Sequence, residues 1–181
     1  MSAESQTPNQ NWTTCYLGLG SNLATELGTP IEHLTRAISE LNANSHIRNL
    51  VASSFYGSTP MGPKDQPDFV NAVVGFKTDL TPIALLDVCQ ALETDARRER
   101  LRHWGERSLD VDVLLFGDQV IHEPRLTVPH AGLAARNFVL VPLIEIAPNL
   151  LINGNPISSY PESQNLSGIH KILESNQRGK L

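Results

Sequence analysis

The chain has 181 residues, of which 40% are hydrophobic and 18% are charged, and its formal net charge is -5. This length suits one well-buried domain and is too short for two sizeable domains with a linker. The negative charge argues against general nucleic-acid binding, and no apolar run approaches the ~20 residues of a membrane helix. Because the polar N-terminus also lacks the pattern of a secretory signal, we expect a cytoplasmic protein without nucleic-acid or membrane partners.

The N-terminal part of the chain predicts one strand and one helix. Residues 1–13 are polar and are expected to form a disordered extension, with a single domain over residues 14–181. The apolar run CYLGLGSNL predicts a strand that ends in a Gly-Ser-Asn turn. This turn is only a weak signal for phosphate binding, because it lacks the lysine of a P-loop. Thr29 then begins a helix as its N-cap, and Glu32 completes a capping box.

The remainder of the chain predicts three more strands and a second helix. The strands are expected at about residues 49–58, 69–78 and 109–116. A long loop with three prolines separates the first two of them. Thr81 repeats the capped helix start, and this helix is expected to run to about Glu93. A short hairpin partner should follow the last strand, then a helical turn near residues 133–136, and the tail from about residue 149 should be peripheral.

The resulting order of elements is β, α, β, β, α, β. This order is typical of a ferredoxin-like α+β sandwich. The two helices would cover one face of an antiparallel sheet and leave the other face to hold a ligand. We therefore expect the active site on that second face, below the proline-containing loop and a basic segment that precedes the last strand.

This basic segment, followed by two carboxylates, is the strongest chemical signal in the chain. Residues 97–112 read RRERLRHWGERSLDVD and contain five of the 14 Lys and Arg residues. If the strand that follows alternates, Asp110 and Asp112 lie on one face with side chains about 6 to 7 Å apart. Two ionised carboxylates at that spacing repel unless a divalent cation such as Mg²⁺ or nearby guanidinium groups compensate them. The combination favours a site for a metal-bound polyphosphate.

Other interpretations of the same residues remain open. An arginine-rich helix end is commonly a solvated face, and a lone D-x-D pair is a weak signal. One alternative is a ferredoxin-like RNA-binding module, which would need aromatic signatures and a basic sheet face that this sequence does not offer. The second alternative is another magnesium-dependent nucleotidyl- or phosphotransferase that uses the D-x-D pair.

Several motifs together resemble a known family. The strings YLGLGSN, GPKDQPDFVNAVV, RHWGERSLDVDVLLFG, LTVPH and RNFVLVPLIEIAP are similar, in order and spacing, to the 6-hydroxymethyl-7,8-dihydropterin pyrophosphokinase family of folate biosynthesis. The resemblance covers residues 14–150. It implies an enzyme, expected to be a monomer, that transfers an intact pyrophosphoryl group from ATP to the hydroxymethyl group of the reduced pterin and releases AMP.

The resemblance also implies which residues carry the chemistry. Asp110 and Asp112 match metal-binding aspartates that hold two Mg²⁺ ions on the triphosphate of ATP, the co-substrate. Arg98 and Arg107 match catalytic arginines that neutralise charge on the phosphates during transfer. Glu106 departs from the family pattern, in which a proline precedes the second of these arginines.

The binding residues that the resemblance implies fall into two groups. The expected ATP contacts are Gln90, Glu93, Arg100, Trp104, Val113, Arg125, Thr127, His130 and Arg136. The expected pterin contacts are Ser58, Thr59, Pro60, Met61, Phe69, Asn71 and Phe138. The two phenylalanines would stack on the pterin, and Asn71 would read its edge. Phe69 and Asn71 are two residues apart in a predicted strand, so they point to the same face.

Overall fold

The computed structural model describes residues 11–96 and 106–173. Within this part of the chain the helices are α1 (Pro30–Ala43), α2 (Pro82–Asp95) and α3 (Asn137–Ile146). The strands are β1 (Thr13–Ser21), β2 (Ile47–Ala52), β3 (Phe55–Ser58), β4 (Phe69–Thr78), β5 (Asp110–Phe116), β6 (Ile121–His122), β7 (Thr127–Val128), β8 (Leu151–Ile152), β9 (Asn155–Pro156) and β10 (Ile169–Leu173). β1 begins at the last residue of the predicted extension, and the Arg48 guanidinium lies over the ring of Trp12, 4.0 Å from its centroid.

Six strands of the described chain form one antiparallel sheet in the order β10-β3-β4-β1-β5, with β2 also paired to β4. The single strand predicted for residues 49–58 is divided into β2 and β3 by two serines. Ser53 donates its N–H to the Val73 carbonyl, and its Oγ accepts from the Val73 N–H at 2.9 Å. The Glu145 carboxylate accepts hydrogen bonds from both the N–H and the hydroxyl of Ser54. These contacts interrupt the ladder with β4 at the point between β2 and β3.

α1 and α2 pack on one face of the sheet, as predicted. The expected capping box is present, because Thr29 Oγ1 accepts from the Glu32 N–H at 3.3 Å and Glu32 Oε2 accepts from the Thr29 N–H at 2.7 Å. The apolar side chains of both helices meet those of the central strands in one cluster. Its helix and sheet members include Leu34, Leu41, Leu85, Cys89, Leu17, Leu19, Val74 and Val113.

The opposite face of the sheet carries a third helix, which the sequence analysis left unassigned. Leu140 and Leu143 of α3 are fully buried and belong to a second apolar cluster with Val73 and Leu114 of the sheet. The expectation that this face is free to hold a ligand is therefore only partly met. α3 covers one part of the face, and a cavity lies beside the start of this helix.

The chain after β5 differs from the prediction at two places. β6 pairs with β7 and not with β5, because the chain turns away from β5 at Gly117, whose φ is +54°. The segment that was expected to be a peripheral tail contributes β10, which pairs with β3 in the main sheet. No helix in residues 11–96 and 106–173 is long and apolar enough to cross a membrane.

Candidate active site

A cavity of about 280 Å³ lies on the second face of the sheet, between the start of α3, the loop after β3 and the edge strand β5. Eleven residues predicted to bind or act on substrate line it: Ser58, Thr59, Met61, Phe69, Asn71, Arg107, Asp110, Asp112, His130, Arg136 and Phe138. Lining residues that the sequence analysis did not select are Gly18, Leu19, Gly20, Gly62, Ala72, Val73, Leu114 and Val139. The cavity therefore joins the predicted pterin residues to the predicted metal-binding residues.

Two glycines of β1 form the floor between these two groups. Gly20 pairs with Asn71 of β4 on one side and with Asp110 of β5 on the other, and Gly18 pairs with Asp112. A Cβ atom at Gly20 would lie 3.4 Å from Asn71 Oδ1. Since neighbouring strands are ~4.8 Å apart, the backbones of Asn71 and Asp110 on either side of this glycine are roughly 10 Å apart. The spacing of two in Gly-Leu-Gly is the sequence signal for this floor, and the sequence analysis assigned these glycines only to a strand and to the turn that ends it.

Both aspartates point into the cavity from β5 and remain accessible. The side chains of Asp110 and Asp112 are 30% and 45% exposed. Arg107 Nε lies 3.8 Å from Asp110 Oδ2, and His130 Nε2 lies 3.7 Å from Asp112 Oδ2. Alternation along the strand thus brings the carboxylates to one face, as the D-x-D spacing predicted.

The donor set suits a magnesium ion that arrives with a nucleotide. Residues 11–96 and 106–173 contain no group of three or more His, Cys, Asp and Glu side chains able to hold a metal ion. Mg²⁺ commonly uses one or two carboxylates and takes its other ligands from substrate phosphates and water. Asp110 and Asp112 supply two half-exposed carboxylates of this kind, so the residues fit the ion.

One hydrogen bond fixes which nitrogen of the neutral His130 ring carries the proton. The Gly132 N–H donates to His130 Nδ1 at 3.0 Å, so a neutral imidazole carries its proton on Nε2, the atom nearest Asp112. Burial lowers the pKa of His130 below 6.5, and the Arg136 charge lowers it further, while the Asp112 carboxylate acts in the opposite direction. The imidazole therefore presents an N–H donor to this end of the cavity at neutral pH.

Asn22, which the sequence analysis assigned to shaping a turn, holds Arg107 and the proline-containing loop together. It is 2% exposed. Its Oδ1 accepts from the Arg107 N–H at 2.8 Å, and its own N–H donates to the Arg107 carbonyl at 3.0 Å. Its Nδ2 donates to Gln66 Oε1 at 3.0 Å and to the Pro67 carbonyl at 2.9 Å. One buried amide therefore sets the backbone of a predicted catalytic arginine relative to the loop that encloses the cavity.

The predicted pterin residues form the other end of the cavity. Asn71 is 5% exposed, and its Nδ2 donates to Ser58 Oγ at 2.7 Å and to the Tyr56 carbonyl at 3.4 Å. Phe69 and Phe138 line the same end, from β4 and from the start of α3. Pro60 is buried beside these residues but is not part of the lining.

Five predicted ATP contacts lie away from the cavity lining. Arg125 donates to Asp87 Oδ1 at 2.6 Å and to Gln90 Oε1 at 3.0 Å, on the exposed side of α2, and Thr127 is exposed in β7. Glu93 is 7% exposed, and its Oε1 accepts from the Val111 N–H. Val113 is 3% exposed and faces the helices, so only its backbone could reach a nucleotide, while Arg98, Arg100 and Trp104 lie outside the described residues.

Comparison with known proteins identifies the family. The model of the 7,8-dihydro-6-hydroxymethylpterin-pyrophosphokinase (HPPK) family matches residues 16–148. The chain belongs to this pyrophosphokinase family. It is 44% identical over 163 residues to a 2-amino-4-hydroxy-6-hydroxymethyldihydropteridine pyrophosphokinase of Haemophilus influenzae, covering 90% of this chain and 98% of the relative. It is 46% identical over 158 residues to an enzyme of the same description from Pseudomonas aeruginosa, covering 87% and 95%. The family predicted from the motifs is confirmed.

Solved pyrophosphokinase structures share the fold at low sequence identity. The wild-type HPPK-DHPS protein of Plasmodium falciparum matches with a TM-score of 0.64 and 14% identity, over 92% of this chain and 49% of that chain. A structure of the wild-type Plasmodium protein with pterin and p-hydroxybenzoate matches with a TM-score of 0.61 and 15% identity, over 84% and 43%. The chain thus spans less than half the length of these proteins, and the likeness concerns the fold alone.

Proposed function

We propose that the protein transfers the pyrophosphoryl group of ATP to 6-hydroxymethyl-7,8-dihydropterin, giving AMP and the pterin diphosphate, a step of folate synthesis. Family membership and relatives of this activity that align over nearly their whole length support this function. The observation that carries it in the molecule is a cavity that combines a buried amide and two phenylalanines with a carboxylate pair and an arginine. Such a cavity can hold a flat heterocycle and a polyphosphate side by side.

At one end of the cavity, the proposed pterin contacts are an amide and two aromatic rings. Asn71 is fixed by Ser58, so its Oδ1 is directed towards the cavity floor at Gly20, where it can accept from the amino and ring N–H groups of a pterin. Phe69 and Phe138 supply apolar faces, and stacking contributes about 0.5–1.5 kcal/mol per pair beyond burial. Ser58, Thr59, Pro60 and Met61 are proposed to complete the edge contacts.

At the other end, Asp110 and Asp112 are proposed to hold two Mg²⁺ ions on the triphosphate. When bound, Mg²⁺ neutralises phosphate charge and polarises the phosphorus that is attacked. Arg107 is proposed to bind the phosphates and to stabilise the charge that builds on them, together with Arg98. The pterin hydroxymethyl oxygen attacks the β-phosphorus, and its proton is released to the solvent. The bond from that phosphorus to the α,β-bridging oxygen breaks, and AMP leaves.

The adenosine part is proposed to lie along the outer edge of β5. The Val111 N–H points away from β1 towards Glu93 Oε1, and by alternation the backbone of Val113 points the same way. Backbone groups at this edge can read the adenine, and Gln90, Arg125 and Thr127 are the nearby polar side chains. His130 and Arg136 are proposed to contact the phosphates, with Arg100 and Trp104 as further predicted contacts. A ferredoxin-like core and a monomeric, cytoplasmic enzyme remain part of this proposal.

An assay that couples AMP formation to a spectroscopic change tests the function. We expect AMP only when ATP, Mg²⁺ and the reduced pterin alcohol are all present. Omitting the pterin or chelating the metal should remove the signal. Release of ADP would indicate transfer of a single phosphoryl group, and release of pyrophosphate would indicate nucleotidyl transfer. Either product in place of AMP would reject the proposal.

A further inference from the structure

The segment of residues 165–170 contacts two separate walls of the cavity. The first wall is the start of α3. There, Asn137 Nδ2 donates to the Asn165 carbonyl at 2.9 Å and to the Ser167 carbonyl at 2.8 Å. The neighbours of this residue on both sides, Arg136 and Phe138, line the cavity. The side chain that holds the C-terminal segment therefore lies between two cavity residues.

The second wall is the end of β3 and the loop that follows it. The Thr59 N–H donates to the Gly168 carbonyl at 3.2 Å, and Ile169 pairs with Ser58 in the β10–β3 ladder. Ser58 Oγ in turn accepts from Asn71 Nδ2 at 2.7 Å. Residues 165–170 are thus one hydrogen bond away from Ser58 and Thr59, and two away from the amide proposed to read the pterin.

These contacts matter because the loop after Thr59 has little regular structure of its own. A loop that must be ordered when a ligand binds reduces affinity by the entropy of that ordering. The backbone hydrogen bond from Thr59 to Gly168, which directly precedes β10, removes part of this cost beforehand. The same segment fixes Phe138 through its neighbour Asn137, so the distance between the two walls is set before a ligand enters.

We propose that residues 165–170 position the pterin end of the cavity, with Asn137 and Gly168 as positioning residues that do not touch the substrate. This inference rests on the proposed function. It requires that losing the attachment weakens pterin binding selectively. Binding of ATP should change less, because Arg136 is the one proposed ATP contact that adjoins Asn137 in the sequence.

Two substitutions at Asn137 test the first attachment. Asn137→Ala removes both hydrogen bonds. Asn137→Asp keeps the size of the side chain and is favourable in the first turn of a helix, so α3 should not be weakened, but the carboxylate faces two carbonyl oxygens. We expect each variant to raise the KM for pterin at saturating MgATP by about fivefold or more, with the KM for ATP within about twofold of wild type.

A matched pair of glycines tests the second attachment. Gly168 has φ +70° and Gly154 has φ +78°, so alanine strains the backbone similarly at both positions. A Cβ at Gly168 would lie 3.1 Å from Thr59 Oγ1, whereas a Cβ at Gly154 would meet nothing within 4 Å. We expect both variants to lower the melting temperature to a similar extent. Only Gly168→Ala should raise the KM for pterin.

The decisive readout is pterin affinity, measured by turnover and by equilibrium binding in the presence of Mg²⁺ and a non-hydrolysable ATP analogue. Wild-type pterin affinity in both Asn137→Asp and Gly168→Ala would overturn the inference, as would an equal loss in Gly154→Ala. In either of these outcomes the wild-type protein would still form AMP, so the proposed function would stand. A wild-type protein that neither binds pterin nor forms AMP would instead reject the proposed function, and this inference with it.

Discussion

The two ends of the cavity differ in how completely they are assembled before a ligand arrives. At the end proposed to bind pterin, Asn71 is 5% exposed and already hydrogen-bonded to Ser58. At the proposed phosphate end, Asp110 and Asp112 keep 30% and 45% of their side-chain surface exposed, with Arg107 Nε 3.8 Å from Asp110 Oδ2 and the neutral His130 Nε2 3.7 Å from Asp112 Oδ2. A neutral heterocycle can form hydrogen bonds with an amide that the fold already holds in place. Two carboxylates cannot be buried together until cations accompany the ligand, because the desolvation of like charges is costly.

The largest effect is expected at the phosphate end. Asp112→Ala should lower kcat by about 10³-fold, because it removes one of the two carboxylates proposed to hold the Mg²⁺ ions that neutralise phosphate charge. The melting temperature should not fall, since one of two repelling charges is removed. Asp118→Ala, an exposed aspartate just after the same strand, is the matched control and should be fully active. Near wild-type turnover of Asp112→Ala would contradict the proposed role of this carboxylate at the phosphate end.

A smaller and more selective effect is expected at the pterin end. Asn71→Ala should raise the KM for pterin by about 10- to 100-fold at saturating MgATP, because the pterin N–H groups lose the amide oxygen that accepts from them, and an unpaired buried polar group costs ~1–3 kcal/mol. The KM for ATP should stay within about threefold of wild type. Asn155→Ala, a change on the exposed β8–β9 hairpin, serves as the control. Equal losses for both substrates in Asn71→Ala would contradict a separate pterin end.

Asn22 tests whether the ends are coupled, because it contacts both. Asn22→Ala removes hydrogen bonds to Arg107 and to the loop at Gln66 and Pro67. We expect the free energy of unfolding to fall by about 2 kcal/mol and kcat to fall by roughly 10-fold, with both KM values raised. Kinetics at a temperature well below the melting point of the variant separate the two effects. A stability loss with unchanged kinetics would limit Asn22 to a structural role.

The smallest effect concerns the rigidity of the pterin end. Burial raises the pKa of Glu145 on α3, but hydrogen bonds from Tyr56 and Ser54 outweigh it, so the pKa lies below 4.5. Its stabilising contribution is therefore complete above about pH 4.5 and is lost as the pH falls through the lower folded-state pKa. Glu145→Gln should lower the melting temperature by about 2–4 °C at pH 7, and its melting temperature should depend less on pH between 5 and 3. Parallel pH profiles for the variant and wild type would contradict this assignment.

The sequence predicted the parts of the molecule that depend on local pattern or on strong chemistry. The capped start of α1 at Thr29 follows from local hydrogen bonding, and strand alternation brings Asp110 and Asp112 to one face. The first helix and the carboxylate pair could therefore be anticipated without knowledge of the tertiary structure.

The remaining features depend on contacts that are distant in sequence. α3 was left unassigned because an apolar run with an internal proline, Pro142, lacks a clear helical stripe. β10 is short and forms by pairing with β3, more than 100 residues earlier in the chain. The Asn153-Gly154 turn of the β8–β9 hairpin, with φ of 51° and 78°, was an available signal that the sequence analysis did not use. The role of Asn22 could not be predicted, because its partners lie 44 or more residues away.

The most direct test follows the phosphorus atoms of ATP into the products. Three preparations of ATP, labelled with ³²P at the α, β or γ position, are incubated with the protein, Mg²⁺ and the reduced pterin alcohol. Transfer of an intact pyrophosphoryl group predicts that the β and γ labels both appear in the pterin product and that the α label remains in AMP. Transfer of the γ label alone, or appearance of the α label in the pterin product, would contradict the assignment of this cavity.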